Sequence, residues 1–171
     1  AAGWHVCNVA DANIHASTGV AIREFPLNTG FGFADYLLYV NGKACGVIEA
    51  KKEGATLTGV ELQSSRYAQG LPTTLPAWRR PLPFVWESTG IETHFTNGLD
   101  PEPRARGVFA FFRPELLVQW LAYLPNPANG TTAQEAPGTF LTRMRSMPAL
   151  VTEWGSGGAH YALWPAQISA I

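Results

Sequence analysis

The chain has 171 residues and a mass of 18.5 kDa, enough for one domain with a substantial core. Hydrophobic residues make up 46%, charged residues 15%, and the formal net charge is −1, which excludes disordered, coiled-coil and polybasic-tail classes. No apolar run is long enough to span a membrane and the first residues carry no export signal, so a cytoplasmic chain without a membrane role is expected. Cys7 and Cys45 form no CxxC pair and read as small buried hydrophobes.

In chain order, residues 19 to 26 (GVAIREFP) read as a strand ended by Pro26, followed by turn chemistry at Asn28-Thr29-Gly30. Ala34 to Val40 is a second strand, Asn41-Gly42 a hairpin turn, and Lys43 to Lys51 a third strand. A helix from about Gly59 to Gln69 is signalled by the Thr58/Glu61 capping box, the Leu57/Leu62 staple and the Gly70, Pro72 stop. Residues 72 to 83 form an irregular surface loop. Further strand-like pieces are Phe84 to Ser88, His94 to Thr96 and Gly107 to Phe112. Pro114 opens a helix to about Leu124 with an apolar stripe at Leu116, Leu117, Trp120, Leu121 and Leu124. A linker by composition covers 125 to 138, and Thr139 to Ser146 is a weaker helix. The fold class expected is α/β, with a mixed central sheet flanked by helices.

Asp35 near the start of one hairpin strand and Glu49-Ala50-Lys51 at the end of the other bring two acids and an amine to one end of the hairpin. Two carboxylates suit Mg²⁺, which keeps positions for water and a phosphate oxygen, and Lys51 shares the strand face of Glu49. All three lysines of the chain, Lys43, Lys51 and Lys52, fall in this region, whereas the other nine basic residues are arginines. Register tests the idea. A regular two-residue turn pairs residues whose numbers sum to 83, placing Asp35 across from Ile48 and Glu49 on the other face. A bulge at Gly42 or near Gly46 would restore the pair to one face. Gln63 and Tyr67, four apart on the helix, share a face that could look back at the site, or Tyr67 is an amphipathic core residue and Gln63 a solvated one. Glu24 could approach a metal or pair with Arg23 or Arg66, the structural role being preferred. Arg66, Arg79, Arg80, Arg104 and Arg106 are weak phosphate-contact candidates.

The order Asp35, Glu49-x-Lys51, Gln63-x-x-x-Tyr67 resembles the PD-(D/E)xK nuclease superfamily. Within it, GFADYLL (32–38), VIEAKKEG (47–54) and QSSRYA (63–68), followed by ESTG (87–90), FTNG (95–98) and RPE (113–115), resemble the N-terminal nuclease domain of the restriction (R) subunit of type I restriction enzymes. The resemblance implies a restriction-endonuclease-like core over residues 1–150, with Asp35 and Glu49 as the acidic pair, Lys51 as the catalytic lysine, and Gln63 and Tyr67 as the supporting motif. It also implies an N-terminal helix with another acidic ligand ahead of Ala1. Residues 151–171 would be a linker and the start of an ATP-driven translocase, whose first segment is resembled by Trp164–Ile168, with Gln167 reading adenine. No GxxxxGK[ST] is present, so ATP belongs to the parent protein. The implied partners are double-stranded DNA and the modification and specificity subunits. Two further readings are a stand-alone repair or recombination nuclease of the same superfamily and a non-catalytic docking domain that uses the Pro-rich loop.

Overall fold

The hairpin at the centre of the chain is bent around one extra residue. The computed structural model describes residues 2–54, 57, 66–100 and 103–122. In it, β3 (Phe33–Val40) and β4 (Lys43–Ala50) are joined by Asn41 and Gly42 with φ of 48° and 74°, the left-handed pair that a tight primed turn requires. Next to the turn the pairs are Val40↔Lys43 and Tyr39↔Ala44; beyond it they become Leu38↔Gly46, Leu37↔Val47 and Tyr36↔Ile48. Cys45 is therefore a bulge, and the expected change of parity occurs beside Gly46. Extending the same register sets Asp35 abreast of Glu49.

Around this hairpin lie β1 (His5–Asn8), β2 (Gly19–Pro26), β5 (Phe84–Ser88), β6 (Thr93–Asn97) and β7 (Arg106–Val108). The seven strands form one sheet in sequence order. It is mixed: β1 with β2 and β4 with β5 are parallel, and the other neighbours are antiparallel. Both faces are covered, which explains why β3 reads as a continuous apolar run. Leu37 and Tyr39 pack with Val20, Ile22, Val47 and Val85 on one face. Leu38 and Val40 pack with Phe84, Trp86, Phe95, Leu117 and Leu121 on the other.

The long crossover from β4 to β5 covers the first face. Its residues 66–69 are helical, and Ala68, Leu71 and Leu82 are buried there. The Pro-rich stretch that follows is fastened to the hairpin. Ala44 donates to the Pro76 carbonyl at 2.9 Å and its own carbonyl accepts from the Trp78 N–H at 2.9 Å, a backbone exchange that the bulge makes available before β5 begins to pair at Gly46. The Trp78 indole donates to the Val40 carbonyl at 2.8 Å and the Lys43 ammonium lies 4.9 Å from its ring centre, so Trp78 covers core and Lys43 covers Trp78. Arg80 donates to the carbonyls of Leu71, Pro72 and Leu75, a structural use of that side chain.

The helix Pro114–Leu121 covers the second face, with Pro114, Leu117 and Leu121 buried. Strand β5 has the expected bounds, β6 is longer by one residue at each end, and β7 is shorter than the expected Gly107–Phe112 because the chain leaves the sheet edge after Val108. The sequence reading missed β1, in which only Cys7 is buried, so no alternation marks it. Helix is sparser than an α/β layer arrangement anticipates: among the described residues the sheet dominates. The capping box Thr58/Glu61, the start of the helix at Gly59, the helix at 139–146 and the boundary at 150/151 lie outside the described residues. No helix among the described residues is long and apolar enough to cross a membrane.

Gly46 fixes the close approach of β4 to β5, since a Cβ there would fall 2.4 Å from the Phe84 carbonyl oxygen and 2.9 Å from its Cβ. Gly46→Ala is expected to lower stability by about 1–3 kcal/mol in urea denaturation. Unchanged stability would show that the strands can separate at the bulge without cost.

Candidate active site

The end of the β3/β4 hairpin gathers three of the residues singled out from sequence. Asp35 leaves β3 half-buried and accepts a hydrogen bond through Oδ2 from the Ala50 N–H at 2.6 Å. Glu49 is only 4% exposed. Its Oε1 accepts from the Lys51 ammonium at 2.5 Å, a contact between residues two apart where the chain runs off the end of β4. The Lys51 backbone N–H donates to the Ser88 carbonyl at 2.7 Å, which carries the β4/β5 ladder one step beyond Ala50 and fixes where the lysine leaves the strand.

Electrostatics follow from this packing. Burial pushes the Glu49 carboxyl above the ordinary carboxylate range; the bond from Lys51 opposes that shift, and the neighbouring Asp35 charge adds to it. The hydrogen bond to Glu49 raises the Lys51 pKa against the opposing effect of its own burial, with Glu49, Tyr67 and Asp35 all acting on it in the same direction. Lys51 is thus held as an ammonium. Such a group orients an oxygen nucleophile and offsets negative charge; it does not accept a proton.

Tyr67 is half-buried, packs against the first core face and favours the charged form of Lys51. Gln63 and Gln167 lie outside the described residues. Arg66 is not turned to the carboxylates; it donates to the Gly30 carbonyl at 2.8 Å. Glu24 pairs with neither arginine considered for it, since Arg23 bonds the Asn8 side chain at 3.4 Å and Arg66 bonds Gly30. Instead Glu24 has a left-handed backbone, φ 48°, between the ladder pairs Arg23↔Tyr36 and Phe25↔Ala34, which puts it abreast of Asp35 on the neighbouring strand.

Sequence reasoning gave no role to Glu87. It is 2% exposed and pairs in register with Glu49 on the adjoining strand. The signal was an acid directly after the apolar run Phe84-Val85-Trp86 on the same strand. Glu87 also lines a cleft of about 380 Å³ with Ala68, Val85, Thr96, Pro103 and Arg104.

Residues 11–92 match the family described as type I restriction enzyme EcoKI endonuclease subunit, second domain. Over that span this chain fits a type I restriction endonuclease subunit. No curated protein and no solved structure matches it. The endonuclease-subunit match spans Asp35, Glu49, Lys51, Tyr67 and Glu87, the whole gathering at the hairpin end.

The donor set fits a hard cation held in part by solvent. Asp35 and Glu49 each engage one oxygen, on the Ala50 N–H and the Lys51 ammonium, and the two carboxyls meet each other. No group of three or more His, Cys, Asp or Glu among the described residues is arranged to hold a metal, so an all-protein cage of the zinc type is not on offer there. Mg²⁺ takes one or two carboxylates and fills its remaining positions with water and phosphate oxygens.

These opposing influences give a signed expectation. In carboxyl-carbon NMR titrations Lys51→Met should move the Glu49 pKa further up and Asp35→Asn should move it down. Since the fold raises this pKa, the stability Glu49 contributes is full below the ordinary carboxylate range and is lost as pH rises through the raised value. Identical titrations in all three proteins would mean that the carboxylates and the ammonium do not meet.

Proposed function

We propose that the chain is the DNA-cleaving module of a type I restriction enzyme and hydrolyses phosphodiester bonds with Mg²⁺ at Asp35 and Glu49. The observation that carries this is the Cys45 bulge, which turns two acids that a regular hairpin would separate onto one face beside a lysine ammonium. A bound Mg²⁺ would polarise the scissile phosphate and its attacking water. Asp35 and Glu49 would hold it, each oriented by a hydrogen bond it already makes.

Lys51 lies against Glu49, placed to orient the attacking water and to offset charge building on the phosphate oxygens. Tyr67, which favours the charged form of Lys51 from the crossover, supports the ammonium in this reading, together with Gln63. The Glu49 carboxyl must lose its proton before a cation can bind, so metal affinity rises with pH through the Glu49 titration. Double-stranded DNA is the substrate. Sequence recognition, methylation and ATP-driven translocation fall to other parts of the assembly, the last to the region that begins after residue 150.

Calorimetric titration with Mn²⁺, a surrogate for Mg²⁺, tests the proposal. The parent chain is expected to bind the ion and Glu49→Ala to lose binding. Lys51→Ala should retain the ion while cleavage by the assembled enzyme falls on the order of 10²- to 10³-fold, the range seen when a single charge-stabilising donor is removed. Full cleavage by Glu49→Ala in the assembled enzyme would overturn the catalytic reading and favour a docking role.

A further inference from the structure

The first residue of β3, two positions before Asp35, is an aromatic ring held in water: Phe33 is 64% exposed. An exposed ring on a loose loop would need no comment. The loop that presents this one is fastened at several points. Leu27 donates to the Gly32 carbonyl, Phe31 to Asn28 and Asn28 to Gly70, each at 2.9 Å. Gly30 and Gly32, with φ of 91° and 77°, make the reversal. The Arg66 guanidinium donates to the Gly30 carbonyl at 2.8 Å and lies 5.9 Å from the centre of the Phe31 ring. Phe31 in turn packs so closely on Gly70 that a Cβ there would fall 2.6 Å from the Phe31 Cβ.

The neighbouring Phe31 is thus drawn down onto the end of the helical residues 66–69, and Phe33, two residues before Asp35 on the same strand, is left exposed. Ordering a loop costs conformational entropy, and an exposed ring returns none of it within this chain. The ring becomes useful when a flat apolar face arrives. A nucleobase has that face, and its phosphate is the group the adjoining carboxylates and lysine are read as handling. Arg66, beside the same loop, has five N–H donors, of which Gly30 takes one. An exposed aromatic with a guanidinium against the same loop is one way in which sequence-tolerant contacts to a DNA strand are made.

We infer that Phe33 stacks on a base of the DNA strand bound at the Asp35/Glu49 site, with Arg66 against the backbone of that strand. The inference rests on the nuclease reading and names how that site holds its substrate. Phe33 is a positioning residue in this scheme, since it touches a base and not the reacting phosphate.

The test titrates the chain with a single strand carrying 2-aminopurine and with the same strand in a duplex, in Ca²⁺ to prevent hydrolysis. Phe33→Ala is expected to weaken binding on the order of tenfold and to lose the quenching of 2-aminopurine, while Phe33→Trp retains both. A loss confined to the single strand identifies an unpaired base as the stacking partner; a loss with both identifies a wedge between paired bases. Mn²⁺ titration of Phe33→Ala should match that of the parent. DNA affinity and quenching unchanged in Phe33→Ala, with Mn²⁺ still bound, would overturn the stacking contact alone. Failure of the parent to bind Mn²⁺ would overturn the nuclease reading and this inference with it.

Discussion

Strand pairing has a period of two, so a single inserted residue decides which side chains share a face. In this molecule that residue is Cys45. Before it, β3 and β4 pair as a plain primed hairpin; after it, the pairing numbers rise by one and Glu49 turns to the side of Asp35. Much else depends on the same residue. The bulge leaves Ala44 to exchange backbone bonds with the Pro-rich stretch, which holds that stretch over the hairpin, and it brings Gly46 against the Phe84 backbone where β5 starts to pair. The thiol of Cys45 is fully enclosed, and burial drives its pKa well up. It behaves there as a small apolar group that fills space.

The site carries an electrostatic tension that this geometry creates. Two carboxylates brought together with one of them buried would ordinarily take up a proton. Lys51 relieves part of that cost, and removing it would leave Glu49 with an uncompensated charge in a poorly solvated position. A divalent cation relieves the rest more completely than one ammonium can. The left-handed backbone of Glu24 abreast of Asp35 adds local strain, of order 1–3 kcal/mol for such residues, on the same side of the sheet end. Strain and unbalanced charge concentrated in one place are unfavourable for folding and common where a chain binds something.

The hairpin could be read from Asn41-Gly42 and the strand pattern around it, and parity reasoning even required a bulge, because the acids made chemical sense only on one face. Choosing Cys45 rather than Gly42 as the place of the bulge needed tertiary information, namely the close approach of Gly46 to Phe84. Strand β5 was evident from the apolar run Phe84-Val85-Trp86, whereas β1 was invisible because three of its four side chains face solvent. Tyr67 showed its double part only in three dimensions. Spacing placed it on a face, but could not show its packing on the core or its electrostatic effect on Lys51. Glu87 escaped notice because its importance comes from a neighbour far away in sequence, through the parallel pairing of β4 with β5.

That contrast between near and distant neighbours has a consequence for how the site is assembled. Asp35, Glu49 and Lys51 belong to a single hairpin, whose contacts are local and whose formation does not wait for the crossover or the outer strands. Tyr67, the Ser88 carbonyl and Glu87 arrive through pairings that close much longer loops. The acids and the lysine therefore behave as one heritable cassette. Variation at the outer sheet edges can proceed without disturbing their mutual distances, which are set by the bulged hairpin itself.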